Sequence, residues 1–214
     1  YQPRGIQVWE IWNEPNLAGN WPPHPDPAAY AALLIAAHRA IKAQDPEATV
    51  ILGGMAAARW TGPPFNVQHY TAPDFLQGIY DAGGGDAFDA VAYHPYSYPD
   101  TPDADWRWNG WGIMSGPLRD LMVRHGDGDK PIWITEFGAP TNDGNGGVSE
   151  AEQAETLREG VKLARESDWA GPLFWYGYRD LGGDVGNNEH WFGILDQKSR
   201  RKPAWNAYQE SFKH

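Results

Sequence analysis

This sequence predicts an α/β fold of consecutive strand–helix units, on three observations. Strand, loop and helix signals alternate at intervals of roughly 40 residues, the pattern of βα units around a parallel sheet. The strand candidates are short, nearly continuous apolar runs, such as Thr49-Val50-Ile51-Leu52, which suits strands buried on both faces. The helix candidates open on residues that cap or pre-set a first turn: Asp26-Pro27, Ser149 with Glu152, and Pro203.

The first strand reads from Gly5 to Trp12. Its helix starts at Pro27 and runs to about Gln44, with Leu33, Leu34, Ala37 and Ile41 as the apolar stripe. Asp45-Pro46 stops it. The second strand is Thr49 to Leu52, closed by Gly53-Gly54, and Asp74 to Ala82 is its helix. The third strand is Ala87 to Tyr93, followed by a helix near Pro117 to Arg124. The fourth is Pro131 to Thr135, and its helix runs from the capping box to about Glu166. The fifth is Pro172 to Tyr176, and the last helix takes Pro203 as its first residue.

Five units alone make either a small open α/β sheet or part of a barrel. The chain begins on Tyr1 rather than Met, only a few residues before a strand. The expectation is therefore a (β/α)8 TIM barrel, N-terminally truncated to about five βα units, since a complete barrel takes about 250 residues. At 214 residues the chain has room for one domain with its own core. A barrel lacking its first three units exposes two strand edges, so self-association through them is a further expectation.

Composition narrows the partners. The formal net charge of −11 opposes binding to nucleic acid or an anionic membrane. No apolar run approaches the roughly 18 residues of a membrane-spanning helix. Cysteine is absent, which removes disulfides and thiol catalysis. His190 beside Glu189 lacks a second histidine at ligand spacing, so no metal and no cofactor are expected. Aromatics reach 14%, with 12 Trp and 10 Tyr, many of them in Pro/Gly-rich stretches that read as loops. The stretch from Tyr96 to Trp111, holding Tyr98, Trp106 and Trp108, either walls a substrate cleft or is a loop packed down by its own rings.

In a barrel the chemistry sits at the C-terminal ends of the strands. Strand one ends in Asn13-Glu14-Pro15-Asn16, strand three in His94-Pro95-Tyr96, strand four in Glu136-Phe137-Gly138 and strand five in Trp175. Two carboxyl groups at facing strand ends are what glycosidic cleavage needs: one protonates the leaving oxygen, the other attacks or activates water. Trp faces suit the apolar faces of sugar rings. Trp9, Trp12 and Trp133 lie within strands and read as barrel packing.

Trp12-Asn13-Glu14-Pro15-Asn16 resembles the strand-four motif of clan A retaining glycoside hydrolases, family 39-like or family 5-like, whose Asn-Glu pair supplies the acid/base. Trp133 to Gly138 is similar to their strand-seven motif, whose Glu is the nucleophile, and His94-Pro95-Tyr96 to the His-x-Tyr whose Tyr bonds that nucleophile. Trp175 matches a Trp that floors the subsite of the cleaved sugar. Arg179-Asp180, Glu189 to Leu195 and Lys202-Pro203-Ala204 resemble the tail of the same families.

The resemblance implies catalytic Glu14 and Glu136, with Asn13, His94, Tyr96 and Trp175 binding substrate. It implies double-displacement cleavage of β-linked bonds in a poly- or oligosaccharide, by one catalytic domain over 1–214 that is incomplete at its N-terminus. It also favours an exported enzyme. The alternative is an inactive or partner-dependent barrel fragment that only binds carbohydrate.

Overall fold

A computed structural model of the chain describes residues 4–58, 69–105, 109–144 and 146–213. Its elements run β1 (Val8–Asn13), α1 (Pro27–Gln44), β2 (Thr49–Ala56), α2 (Ala72–Asp81), β3 (Val91–His94), α3 (Gly110–Ile113), α4 (Arg119–Arg124), β4 (Ile132–Phe137), α5 (Glu150–Arg165), β5 (Ala170–Trp175) and α6 (Pro203–Glu210). The sheet order is β1-β2-β3-β4-β5, identical to the chain order, and among the described residues β1 and β5 do not pair. Val8↔Thr49 to Asn13↔Gly54, Met55↔Tyr93 and Val91↔Ile132 set a parallel register. Parallel neighbours need crossovers, and the helices supply them. The chain forms two compact units, Tyr1–His94 with Met114–Ile134, and Pro95–Ile113 with Thr135–His214.

In the first unit, the α1 start follows the cap the sequence announces. The Asp26 carboxylate accepts from the Ala28 and Ala29 amides at 3.0 Å, and Pro27 needs no partner there. The buried face is Tyr30, Ala31 and Leu34, whereas Leu33, expected in the stripe, is 37% exposed. Tyr30 sets that rotation. Its hydroxyl donates to the Ile11 carbonyl at 2.8 Å and accepts from the Gly53 amide at 2.7 Å. Burying Tyr30, Leu34 and, on α2, Phe75 and Ile79 contributes about 1.5–3 kcal/mol per large apolar side chain.

β2 continues four residues beyond its expected end, through Gly53-Gly54 to Ala56. Glycine here permits close approach rather than ending the strand. A Cβ on Gly53 would lie 2.4 Å from the Ile11 carbonyl oxygen, and one on Gly54 would lie 2.1 Å from His94 Nε2. β3 starts later than expected because Gly85–Ala87 form a 3-10 turn. Pro117 falls within a π-helical stretch, Met114–Leu118, where its missing N–H is tolerated, and α4 begins after it. Ile51, Ala90 and Ala92 form a small cluster with Trp133 against it.

In the second unit, α5 opens on the reciprocal capping box. The Ser149 amide donates to Glu152 Oε2 at 2.7 Å, and the Glu152 amide donates to Ser149 Oγ at 3.2 Å. α5 and α6 enclose Ala154, Leu157, Ile194, Ala204 and Ala207, with Trp175 and Trp205 packed on them. Below the loop that follows β5, Lys202 Nζ lies 2.7 Å from Asp180 Oδ2, both side chains buried. Burial pushes Asp180 up and Lys202 down, each against its charged form.

Candidate active site

Glu14 closes the turn after β1, in the first unit. Two of three consecutive residues there have positive φ without being glycine: Trp12 at 80° and Glu14 at 46°. Such backbone costs on the order of 1–3 kcal/mol per residue and persists only where surroundings enforce it. Asn16 does the enforcing. Fully buried, it donates to the Ala56 and Tyr70 carbonyls and accepts from the Ala56 amide, at 2.9–3.0 Å. The Glu14 amide is tied to the Gly54 carbonyl at 2.8 Å.

The Glu14 carboxyl meets His94 and Asn20 in its own unit. Oε1 lies 3.0 Å from Nδ1 of the buried His94, at the end of β3, and Oε2 accepts from Asn20 Nδ2 at 3.1 Å. The ring nitrogen can accept from a protonated carboxyl or donate to an ionised one, depending on its tautomer. Glu10 Oε1 accepts from the Gly54 amide at 2.7 Å, beside the same ring.

Glu136 belongs to β4, in the second unit. Tyr96 donates its hydroxyl to Glu136 Oε2 at 3.0 Å. Its ring is braced edge-on by Tyr98, Tyr176 and Phe192, with centroids 5.6–6.3 Å away. Burial, then the charge of Glu136 and the bond to it, push the Tyr96 hydroxyl far above the ordinary tyrosine range. It therefore stays a donor at any working pH. A donor aimed at a carboxylate favours its ionised form.

Residues 4–177 match the model of the cellulase family, glycosyl hydrolase family 5. The chain belongs to that family. No curated protein matches its sequence. Among solved structures, it is similar to a family 39 glycoside hydrolase from Bacteroides cellulosilyticus WH2, at 27% identity and a TM-score of 0.73, over 97% of this chain and 41% of that one. A monomeric beta-xylosidase from Caulobacter crescentus CB15 is 26% identical, with a TM-score of 0.64, over 95% of this chain and 41% of that one. The fold also matches fungal beta-1,4-galactanases at 15% identity and a TM-score of 0.67, over 98% of this chain and 64% of theirs. The chain thus spans about two fifths of the length of the first two structures. Its five βα units correspond to part of a (β/α)8 barrel.

Of the residues the sequence singled out, the structure joins Glu14 to His94 and Tyr96 to Glu136. Asn13 is exposed at the end of β1, paired in register with Gly54. Trp175 is placed otherwise than expected. Its indole N–H donates to the Phe192 carbonyl at 3.0 Å, and its ring packs on the α5–α6 cluster and edge-on to Phe137. The reason is strand alternation: Leu173 and Trp175 share the face toward the helices, so the next residue, Tyr176, projects beside Tyr96.

Tyr176 was not foreseen. It donates to Glu189 Oε2 at 2.9 Å, and only the adjacent Trp-Tyr pair hinted that parity would decide between the two rings. Trp12, expected as barrel packing, is 51% exposed, on the same alternate positions of β1 as the exposed Val8 and Glu10. Asn20 was also missed, since nothing in its loop context marks it. Trp111 is buried against Phe137 and Tyr98 packs on Phe192, while Trp106 and Trp108 lie outside the described residues.

Proposed function

We propose that this chain carries the acid/base and the nucleophile of a retaining β-glycosidase, with Glu14 as acid/base and Glu136 as nucleophile. The observation that supports it most is the Tyr96 hydroxyl donated to Glu136 Oε2 at 3.0 Å by a group held protonated. A nucleophilic carboxylate must be ionised when substrate arrives, and such a donor favours that state.

In the first step Glu136 attacks the anomeric carbon. The bond to the leaving oxygen breaks, and the proton on Glu14 passes to that oxygen. A glycosyl ester of Glu136 results. In the second step Glu14 takes a proton from water, the oxygen of that water attacks the anomeric carbon, and Glu136 leaves as carboxylate. His94 and Asn20 hold the Glu14 carboxyl in position for both steps. Asn13, exposed and next to Glu14 in the chain, is the residue proposed to meet a sugar hydroxyl.

The β linkage is supported by the likeness to the Caulobacter beta-xylosidase. The net charge of −11 favours a neutral poly- or oligosaccharide. Proton NMR of the first-formed product tests the mechanism. Release of the β-anomer from a β-glycoside is expected; initial release of the α-anomer would mean inversion and refute the nucleophile role.

A further inference from the structure

We propose that Trp12, braced by Trp21, is an aromatic platform for the sugar residue on the leaving-group side of the scissile bond. The proposal rests on the glycosidase reading above, and every contact it uses lies within the first unit.

Asn20 ties the indole to the carboxyl. Its carbonyl accepts the Trp12 indole N–H at 3.0 Å, while its side-chain amide donates to Glu14 Oε2 at 3.1 Å. The acid/base delivers its proton to the departing oxygen, so whatever flanks this carboxyl flanks the leaving group. The indole N–H is already spent on Asn20. What Trp12 offers is its ring face; the residue is 51% exposed.

That face is rigid. Trp12 meets Trp21 edge-on at 5.4 Å, Trp21 meets Tyr30 at 5.8 Å, and Tyr30 meets Phe75 at 5.6 Å. The row runs from an exposed ring to the buried Tyr30 and Phe75. A lone exposed aromatic is ordinary, but this one is held at a φ of 80°, where a bulky residue is an outlier. Strain retained to present a large apolar ring beside an acid is a functional signature. Rigid aromatic faces bind the C–H faces of pyranose rings, so the ligand class is a neutral pyranose unit of an oligosaccharide.

The test compares Trp12→Ala and Trp12→Phe with the parent on two substrates of one glycone, in both xylo and gluco series. A β-glycosyl fluoride has no sugar leaving group, whereas xylobiose or cellobiose does. Trp12→Ala should lower kcat/KM on the disaccharide about tenfold more than on the fluoride, the scale of one aromatic contact. Trp12→Phe should recover most of that difference. Equal losses on both substrates, or no loss on the disaccharide, would overturn the platform. If the parent hydrolyses neither substrate, the glycosidase reading fails on its own. Tryptophan fluorescence titrated with xylohexaose and cellohexaose then decides the platform separately: a response lost in Trp12→Ala supports it, and the absence of any response in the parent overturns it.

Discussion

Replacing Tyr96 by Phe removes one hydroxyl and leaves the ring. The contacts to Tyr98, Tyr176 and Phe192, at 5.6–6.3 Å between centroids, do not involve that hydroxyl, so the fold should be retained. What is lost is the 3.0 Å bond to Glu136 Oε2. A hydrogen bond to a charged group contributes about 1.5–3 kcal/mol. If Glu136 is the nucleophile, the ionised form loses that stabilisation, and kcat/KM falls about 10- to 150-fold near the acid limb. The sign follows from which form was bonded. Removing a bond to the ionised carboxylate lets the proton return at higher pH, so the acid limb moves up by about one to two pH units. The assay is kcat/KM against pH on an aryl β-glycoside, with thermal unfolding as the control. Tyr176→Phe, which removes a bond to the exposed Glu189, should move the acid limb less than Tyr96→Phe does. An acid limb unmoved in Tyr96→Phe, or a loss matched by a fall in Tm, would refute the reasoning.

Glu14→Ala should cost about 10²- to 10⁴-fold on an unactivated glycoside and much less on one with an activated leaving group; equal losses on both would count against its acid role. Lys202→Met leaves Asp180 charged and buried, so it should cost about 3–5 kcal/mol of stability, or about 6–20 °C in Tm. Because burial disfavours the charge on both partners, adding Asp180→Leu should recover most of that loss; a double variant no more stable than the single would show that the pair itself stabilises the loop. Gly54→Ala puts a Cβ 2.1 Å from His94 Nε2 and should cost about 1–3 kcal/mol by overpacking, relieved when His94 is also replaced by Ala. Denaturant unfolding reads it, and a Gly54→Ala chain as stable as the parent would contradict the contact.

The helices were legible where local chemistry decides them. Asp26-Pro27 and Ser149 with Glu152 each satisfy free amides within one turn, so α1 and α5 begin where the sequence places them. β2 was cut short at Gly53-Gly54 because glycine reads as a breaker, and only the third dimension shows Ile11 and His94 filling the space a Cβ would take. Glu14, His94, Tyr96 and Glu136 were singled out because strand ends gather functional groups, and hydrogen bonds join them in pairs. Trp175 was misplaced because strand parity turns over with each residue, and one step exchanges it with Tyr176. Trp12 escaped because it shares the exposed parity of Val8 and Glu10 on β1, and a bulky ring in a strand reads as packing.

The most direct test of the central claim is to trap the glycosyl ester. A 2-deoxy-2-fluoro β-glycoside with an activated leaving group slows the second step more than the first, so a retaining enzyme accumulates its covalent intermediate. Mass spectrometry of the digested, inactivated protein should find one fluorosugar on the peptide containing Glu136, and none after Glu136→Gln. Turnover without a covalent adduct, or an adduct on any other residue, would contradict the assignment of Glu136 as the nucleophile.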